Sequence, residues 1–117
     1  MNRRKIGELG EQIASAFLAL KDYEILQNNF RYARREIDIV ARDRETVVAV
    51  EVKLRRGKQF GTAAEAINRK KLDRVKLALE GILGQTRTNP LSRVDVIAID
   101  IDEKSSTLVL RHIEGVY

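Results

Sequence analysis

The chain has no cysteine, which excludes disulfide cross-links and thiolate metal sites and fits a cytosolic compartment. No apolar run approaches the roughly 18 residues that a membrane-spanning helix needs, so no membrane is expected among its partners. The N-terminal MNRRKIGELGEQ carries basic residues with no apolar stretch behind them, so no secretory leader is read and a cytoplasmic location is expected. Aromatic residues are sparse, three Phe and three Tyr with no Trp, which argues against base stacking as a main mode of recognition. Repeats, low-complexity tracts and linkers are also missing. The 117 residues therefore read as one domain, 1–117, long enough to bury its own core.

What the chain has is positive charge. Lys and Arg number 22 against 17 Asp and Glu, a net charge of +5, with a pI near 9.7. The excess is clustered in Arg3-Arg4-Lys5, Arg34-Arg35, Arg55-Arg56-Gly-Lys58 and Arg69-Lys70-Lys71. A polyanion is the partner class this implies, nucleic acid first. A merely solvated basic surface would look the same by composition, so the assignment has to come from elsewhere.

Residues 5–21 read as a helix, because Ile6, Leu9, Ile13, Phe17 and Leu20 recur at three- and four-residue steps. Strands follow at 24–32, 35–42 and 46–54, the last two flanking the polar turn Arg42-Asp-Arg-Glu-Thr46. The basic, glycine-punctuated loop LRRGKQFG leads into Thr62-Ala-Ala-Glu65, a capping-box pattern that predicts a helix over 63–83, stopped by Gly84. A loop with the only proline, Pro90, precedes a buried-type strand at 94–100, and 107–112 reads as an edge strand. The order α-β-β-β-α-β-β predicts an α/β fold, a mixed central sheet with helices packed on it, and leaves the strand order open.

The strand ETVVAVEVKLRR is valine- and alanine-rich, as if covered on both faces, yet it places Glu51 and Lys53 two residues apart on one side. In the preceding strand, alternation puts Glu36, Asp38 and Val40 on one face and Ile37, Ile39 and Ala41 on the other. A four-residue hairpin loop at 43–46 would set Asp38 opposite Glu51, and a two-residue loop at 43–44 would set it opposite Ala49 with Glu51 diagonal. Either register gathers Asp38, Glu51 and Lys53 on one face. Two carboxylates across a strand pair repel unless something positive lies between them. A divalent, oxygen-ligated cation suits that position, since Mg²⁺ takes one or two carboxylates, keeps several waters and leaves room for a phosphate. Lys53 would then orient the attacking water or neutralise charge on the phosphorane. The competing reading is a buried salt bridge of Lys53 with Glu51 or Asp38; it asks three charged groups on adjacent central strands to be desolvated for packing alone.

Lys71 interrupts the apolar stripe of helix 63–83, one turn after Ile67 and one before Val75. Either its stem snorkels to water or its ammonium reaches the acidic face, and the second is the expectation carried forward. Glu11 lies nearly opposite the stripe of the first helix, so periodicity calls it solvent-exposed, although Gly7, Gly10 and Ala14 form a small-residue flank that permits a close approach. His112, the only histidine, has no evident partner and is read as structural.

Asp38 followed by Glu51-Val-Lys53, in consecutive strands after a helix, resembles the PD-(D/E)xK nuclease signature, with Ile37 where that name has proline. Gly7-Glu-Leu-Gly-Glu11, Asn29, Glu36-Ile-Asp38, Val50-Glu-Val-Lys53, Phe60-Gly61, Lys71 and Arg93-Val-Asp95 together resemble the YraN-type family of endonucleases predicted from sequence, itself similar to archaeal Holliday-junction resolvases. The resemblance spans roughly Lys5 to Ile101. It implies a restriction-endonuclease-like core and DNA phosphodiester hydrolysis with Mg²⁺ or Mn²⁺. Asp38, Glu51 and the Val52 carbonyl would be metal ligands, Lys53 the catalytic lysine and Glu11 an accessory acid. Arg55, Arg56, Lys58, Lys71 and Arg74 are assigned to contact the nucleic acid. Branched or otherwise structured DNA is an expected substrate, and symmetrical cutting of a four-way junction would require a homodimer. The alternatives are a non-catalytic nucleic-acid-binding module that keeps the nuclease fold, and an assembly factor whose basic face meets an acidic protein.

Overall fold

The computed structural model describes residues 2–57, 61–84 and 90–117. In chain order they form α1 (Arg3–Leu20), β1 (Glu24–Tyr32), β2 (Arg35–Asp43), β3 (Thr46–Arg56), a 3-10 turn (Ala64–Ala66), α2 (Arg69–Leu83), β4 (Leu91–Asp102) and β5 (Thr107–Ile113). The strands make one sheet in the order β1-β2-β3-β4-β5. Only β3 and β4 run parallel, as they must when α2 carries the chain back across the sheet before the next strand begins. The α/β fold and the element order expected from the sequence are those observed.

Local chemistry sets the boundaries. Asn2 caps α1, its side chain accepting the Lys5 N–H at 2.9 Å. Ala33 and Arg34 both adopt positive φ, 49° and 67°, the backbone of a two-residue turn whose twist suits a hairpin. Between β2 and β3, Asp43 pairs with Thr46. The turn is therefore Arg44–Glu45, tighter than a four-residue loop, with Arg44 at φ 58°. This register, Ile39 opposite Val50, is the one that carries Asp38 towards Glu51.

The helix expected over 63–83 is two pieces. The Thr62 hydroxyl does accept the Glu65 N–H at 3.2 Å, but only a 3-10 turn follows, and Ile67 is extended at φ −66°, ψ 129°. The Asp100 carboxylate takes the Ala63 N–H at 2.7 Å and ties this turn to β4. Asn68 then caps a fresh helix through the Lys70 N–H at 2.8 Å. A second strong capping residue inside the periodic stretch outweighs continued helix, because its side chain satisfies an end that would otherwise be orphaned.

The sheet is covered on both faces. Ala14 and Leu18 of α1 pack with Ile39, Ala41, Val48, Val50, Leu54, Ile97 and Ile99. Leu72, Val75, Ala78 and Leu79 of α2 pack with Ile37, Val40, Ala49, Val94 and Val96 on the other face. The deepest line of α1 is thus Gly10, Ala14 and Leu18, displaced from the Ile6/Leu9/Ile13 stripe that periodicity singled out. A Cβ on Gly10 would lie 3.2 Å from the Leu54 Cβ, so the small-residue flank is where helix and strand touch. Among the described residues no helix is long and apolar enough to cross a membrane.

Strict alternation also fails in β2. Ile37 packs on the α2 face together with Val40, while Ile39 and Ala41 pack on the α1 face. The slip falls at Asp38, between the rungs Asn28–Ile39 and Phe30–Ile37, where Asn29 of β1 has φ 52°. There the strand twists away from β3.

Candidate active site

The last rung between β2 and β3 is Ile39 opposite Val50, whereas the parallel ladder to β4 continues as far as Arg56 opposite Ile101. From Glu51 onward β3 therefore has one edge that β2 does not cover. An open cleft of about 640 Å³ lies along that edge, walled by the first three turns of α1, with Arg3, Gly7 and Glu11, and rimmed by Lys71 of α2. Asp38, Val52, Lys53, Arg55 and Arg56 line it from the sheet.

Asp38 bridges the gap where the strands part, its Oδ2 accepting the Val52 N–H at 2.8 Å. In a strand the N–H and C=O of one residue point to the same side, so the Val52 carbonyl is directed to this edge as well. Glu51 is 5 % exposed. Its Oε2 lies 2.9 Å from the Lys71 ammonium, and its Oε1 is buried with no partner. Burial first, then the neighbouring Asp38 carboxyl, holds Glu51 well above the usual carboxylate range despite Lys71. A buried carboxyl beside a second acidic group favours a cation at its side.

Glu11, which helical periodicity placed in solvent, stands in the same cleft. Its Oε1 is buried without a partner. Burial, then the charges of Asp38, Glu36 and Glu8, push its pKa up to about 7. Burial would lower the Lys71 pKa, but the hydrogen bond and charge of Glu51, with Asp38 and Glu36, raise it instead. The ammonium of Lys71 is thus a firm positive charge among acids, as expected of a side chain that interrupts an apolar face.

Among the described residues, no three acidic or imidazole groups form a closed metal cage. The pair that is present, Asp38 and Glu51 with an orphaned buried oxygen and an adjacent strand carbonyl, suits a cation that retains several waters, as Mg²⁺ does. The residues fit such an ion.

The basic residues divide. Arg55 lines the cleft with its Nε buried and unpartnered. Arg56 lines it too but is paired with Glu103. Both belong to β3 rather than to the loop after it. Arg74 is exposed on α2 and does not line the cleft, and Lys58 lies outside the described residues. Arg3 was missed as a site residue. Its signal was available, since Arg3, Gly7, Gly10 and Glu11 fall on one helical face.

His112 is structural, and it has partners. Its Nε2 is 2.8 Å from Oδ2 of the fully buried Asp95, and its Nδ1 is 2.8 Å from the Lys21 ammonium. An ammonium can only donate, so Nδ1 accepts and the ring proton is on Nε2, facing Asp95. Arg93 joins from the other side, its Nε 3.0 Å from Asp95 Oδ1. This network sits against Phe17 and Tyr23, near the opposite end of α1 from the cleft.

A family model described as "Uncharacterised protein family UPF0102" matches residues 10–99. The chain is 37% identical over its whole length to a UPF0102 protein of Caldicellulosiruptor bescii, covering all of that protein. It is 41% identical to one of Shewanella frigidimarina over 83% of this chain and 90% of that one. With one of Carboxydothermus hydrogenoformans it shares 37% identity over 99% of this chain and 98% of that one.

Proposed function

We propose that this chain, which belongs to the UPF0102 family, is a metal-dependent endonuclease that hydrolyses DNA phosphodiesters. The observation that carries the reading is the docking of Asp38 onto the Val52 N–H, next to the buried Glu51, at an uncovered strand edge that Lys53 and a basic rim line. Such a cluster is costly to fold around, and a packed hydrophobic substitute would be cheaper, so its presence calls for a use. Asp38, Glu51 and the Val52 carbonyl would hold Mg²⁺ or Mn²⁺, which when bound supplies Lewis acidity and a nucleophilic water at neutral pH. Lys53 orients that water and offsets charge as it builds on the phosphorane. Glu11, with a pKa near 7, is poised to accept a proton at the same pH. Arg3 and Arg55 hold the flanking phosphates.

The test is purified protein with Mg²⁺ or Mn²⁺ against labelled linear, flapped, single-stranded and four-way-junction DNA, beside Glu51→Gln. Cleavage by the wild type and none by the variant is the expected result. Binding without cleavage by either would assign the chain to the non-catalytic nucleic-acid-binding class, and no affinity for any DNA would point to an acidic protein partner.

A further inference from the structure

Glu51 presents two oxygens with different fates. Oε1 is buried with no partner, and Oε2 is held at 2.9 Å by Lys71. The two side chains differ as sharply: Glu51 is 6% exposed and Lys71 55%. The carboxylate is fixed in the central strand, while the ammonium arrives from solvent on a flexible four-carbon stem rooted in the first turn of α2. One member of this ion pair is therefore immobile and the other can leave without disturbing any packed element. Lys53 differs, being part of the strand that carries Glu51.

We propose that Lys71 is the chain's own stand-in cation, neutralising Glu51 while no metal is held and giving up that carboxylate when a divalent ion is bound. The inference rests on the metal reading above and adds an exchange to it. Were a divalent cation held by Asp38 and Glu51, the carboxylate would no longer need a second positive charge, and like-charge repulsion would disfavour the ammonium now 2.9 Å from Glu51. The released ammonium stays on the cleft rim, within the reach of its own side chain, where a substrate phosphate is the remaining anion. The device has two consequences. The metal-free protein avoids a bare buried carboxylate, and the Lys71 ammonium becomes available to a phosphate only when the metal is in place.

Thermal unfolding of wild type and Lys71→Met, each in EDTA and at saturating Mn²⁺, tests this without reference to activity. In EDTA the variant should melt several degrees below wild type, because it leaves Glu51 without its cation. At saturating Mn²⁺ the gap should close, since Lys71 no longer serves Glu51 in either protein. A second measurement uses wild type alone. Pulse acetylation should modify Lys71 several-fold faster with Mn²⁺ than in EDTA, with Lys76 as the unchanged internal reference. A gap that persists in Mn²⁺, or Lys71 reactivity that does not rise although Mn²⁺ lifts the melting temperature, overturns the exchange and leaves the metal site standing. If Mn²⁺ shifts neither protein, the metal reading fails and the exchange falls with it.

Discussion

The carboxylate of Asp38 accepts the backbone N–H of Val52 at 2.8 Å, and this one hydrogen bond takes the place of the ladder where β2 and β3 separate. A side chain thereby satisfies a donor that the neighbouring strand has abandoned. The same residue brings negative charge to Glu51 and Glu11. Asp38 is thus a structural acceptor and a source of electrostatic conflict at once.

Substitution separates the two roles. Asp38→Asn keeps an acceptor for Val52 and can donate from its amide to Glu51, so its urea unfolding midpoint should equal or exceed that of wild type in metal-free buffer. Asp38→Ala removes the acceptor and should lose about 1 kcal/mol, the scale of one net hydrogen bond beside an open cleft that water can enter. Both should lose metal binding. Equal destabilisation by the two changes would mean that the acceptor role is not what Asp38 contributes.

The strands and α1 were legible because valine-rich runs and a 3.6-residue stripe are strong local signals. The hairpin register that brings Asp38 and Glu51 to neighbouring strands was legible too, but the slip in alternation at Asp38, which puts Ile37 on the α2 face with Val40, was not. Local pattern could not show that β2 peels off β3, since nothing in RREIDIV distinguishes a strand that stays paired from one that leaves. That departure admits Glu11 to the site. Its position on the wheel is polar, and only the strand beyond it decides whether it meets water or a cleft. The interruption at Asn68 was in principle readable, because asparagine is a good cap, but the Thr62 signal upstream masked it. The Asp95 network joins residues from five segments of the chain, and no periodicity reports such a meeting.

Gly81 lies inside α2, where alanine would ordinarily add up to about 1 kcal/mol of stability. Here a Cβ would collide with the Tyr32 ring, at the end of the β1–β2 hairpin. Gly81→Ala should therefore lose about 1–3 kcal/mol through forced displacement of the ring, measured by chemical denaturation. Pairing it with Tyr32→Ala should recover the helix-propensity gain. A stabilised single variant would show that the hairpin tip does not press on α2.

Asp95 is fully buried, and burial alone would raise its pKa. Hydrogen bonds from His112, Arg93 and the Gly115 N–H, with the Arg93 charge, hold it below the ordinary value of 3.8 instead. A depressed carboxyl contributes stability that is complete above the unfolded-state pKa and is lost as the pH falls through the folded-state value. Asp95→Asn should cost about 3 kcal/mol at neutral pH, the scale for breaking a buried charged pair. That deficit should shrink in acid below the ordinary carboxylate pKa, because wild type then loses the same interaction. Unfolding free energies of the two proteins from neutral pH into that range check it, and a constant gap throughout would remove Asp95 from the pH dependence.

The last expectation separates holding the nucleic acid from cutting it. Each phosphate contact on duplex DNA releases condensed counterions, so log affinity falls with log salt by about 0.9 per contact. Arg55 lines the cleft with its Nε unpartnered, whereas Arg56 is already engaged by Glu103. Arg55→Ala and Arg3→Ala should each flatten the salt slope by about 1 and weaken binding evenly across sequences. Arg56→Ala should do less, because part of its charge is spent on Glu103. Lys53→Ala should leave the slope and affinity near wild type while cleavage disappears, since its proposed contribution is made in the transition state. Fluorescence anisotropy over a salt series, read beside a cleavage assay on the same duplex, resolves all four variants. An Arg55→Ala slope equal to wild type would take the cleft out of the binding surface, and full cleavage by Lys53→Ala would end its catalytic assignment.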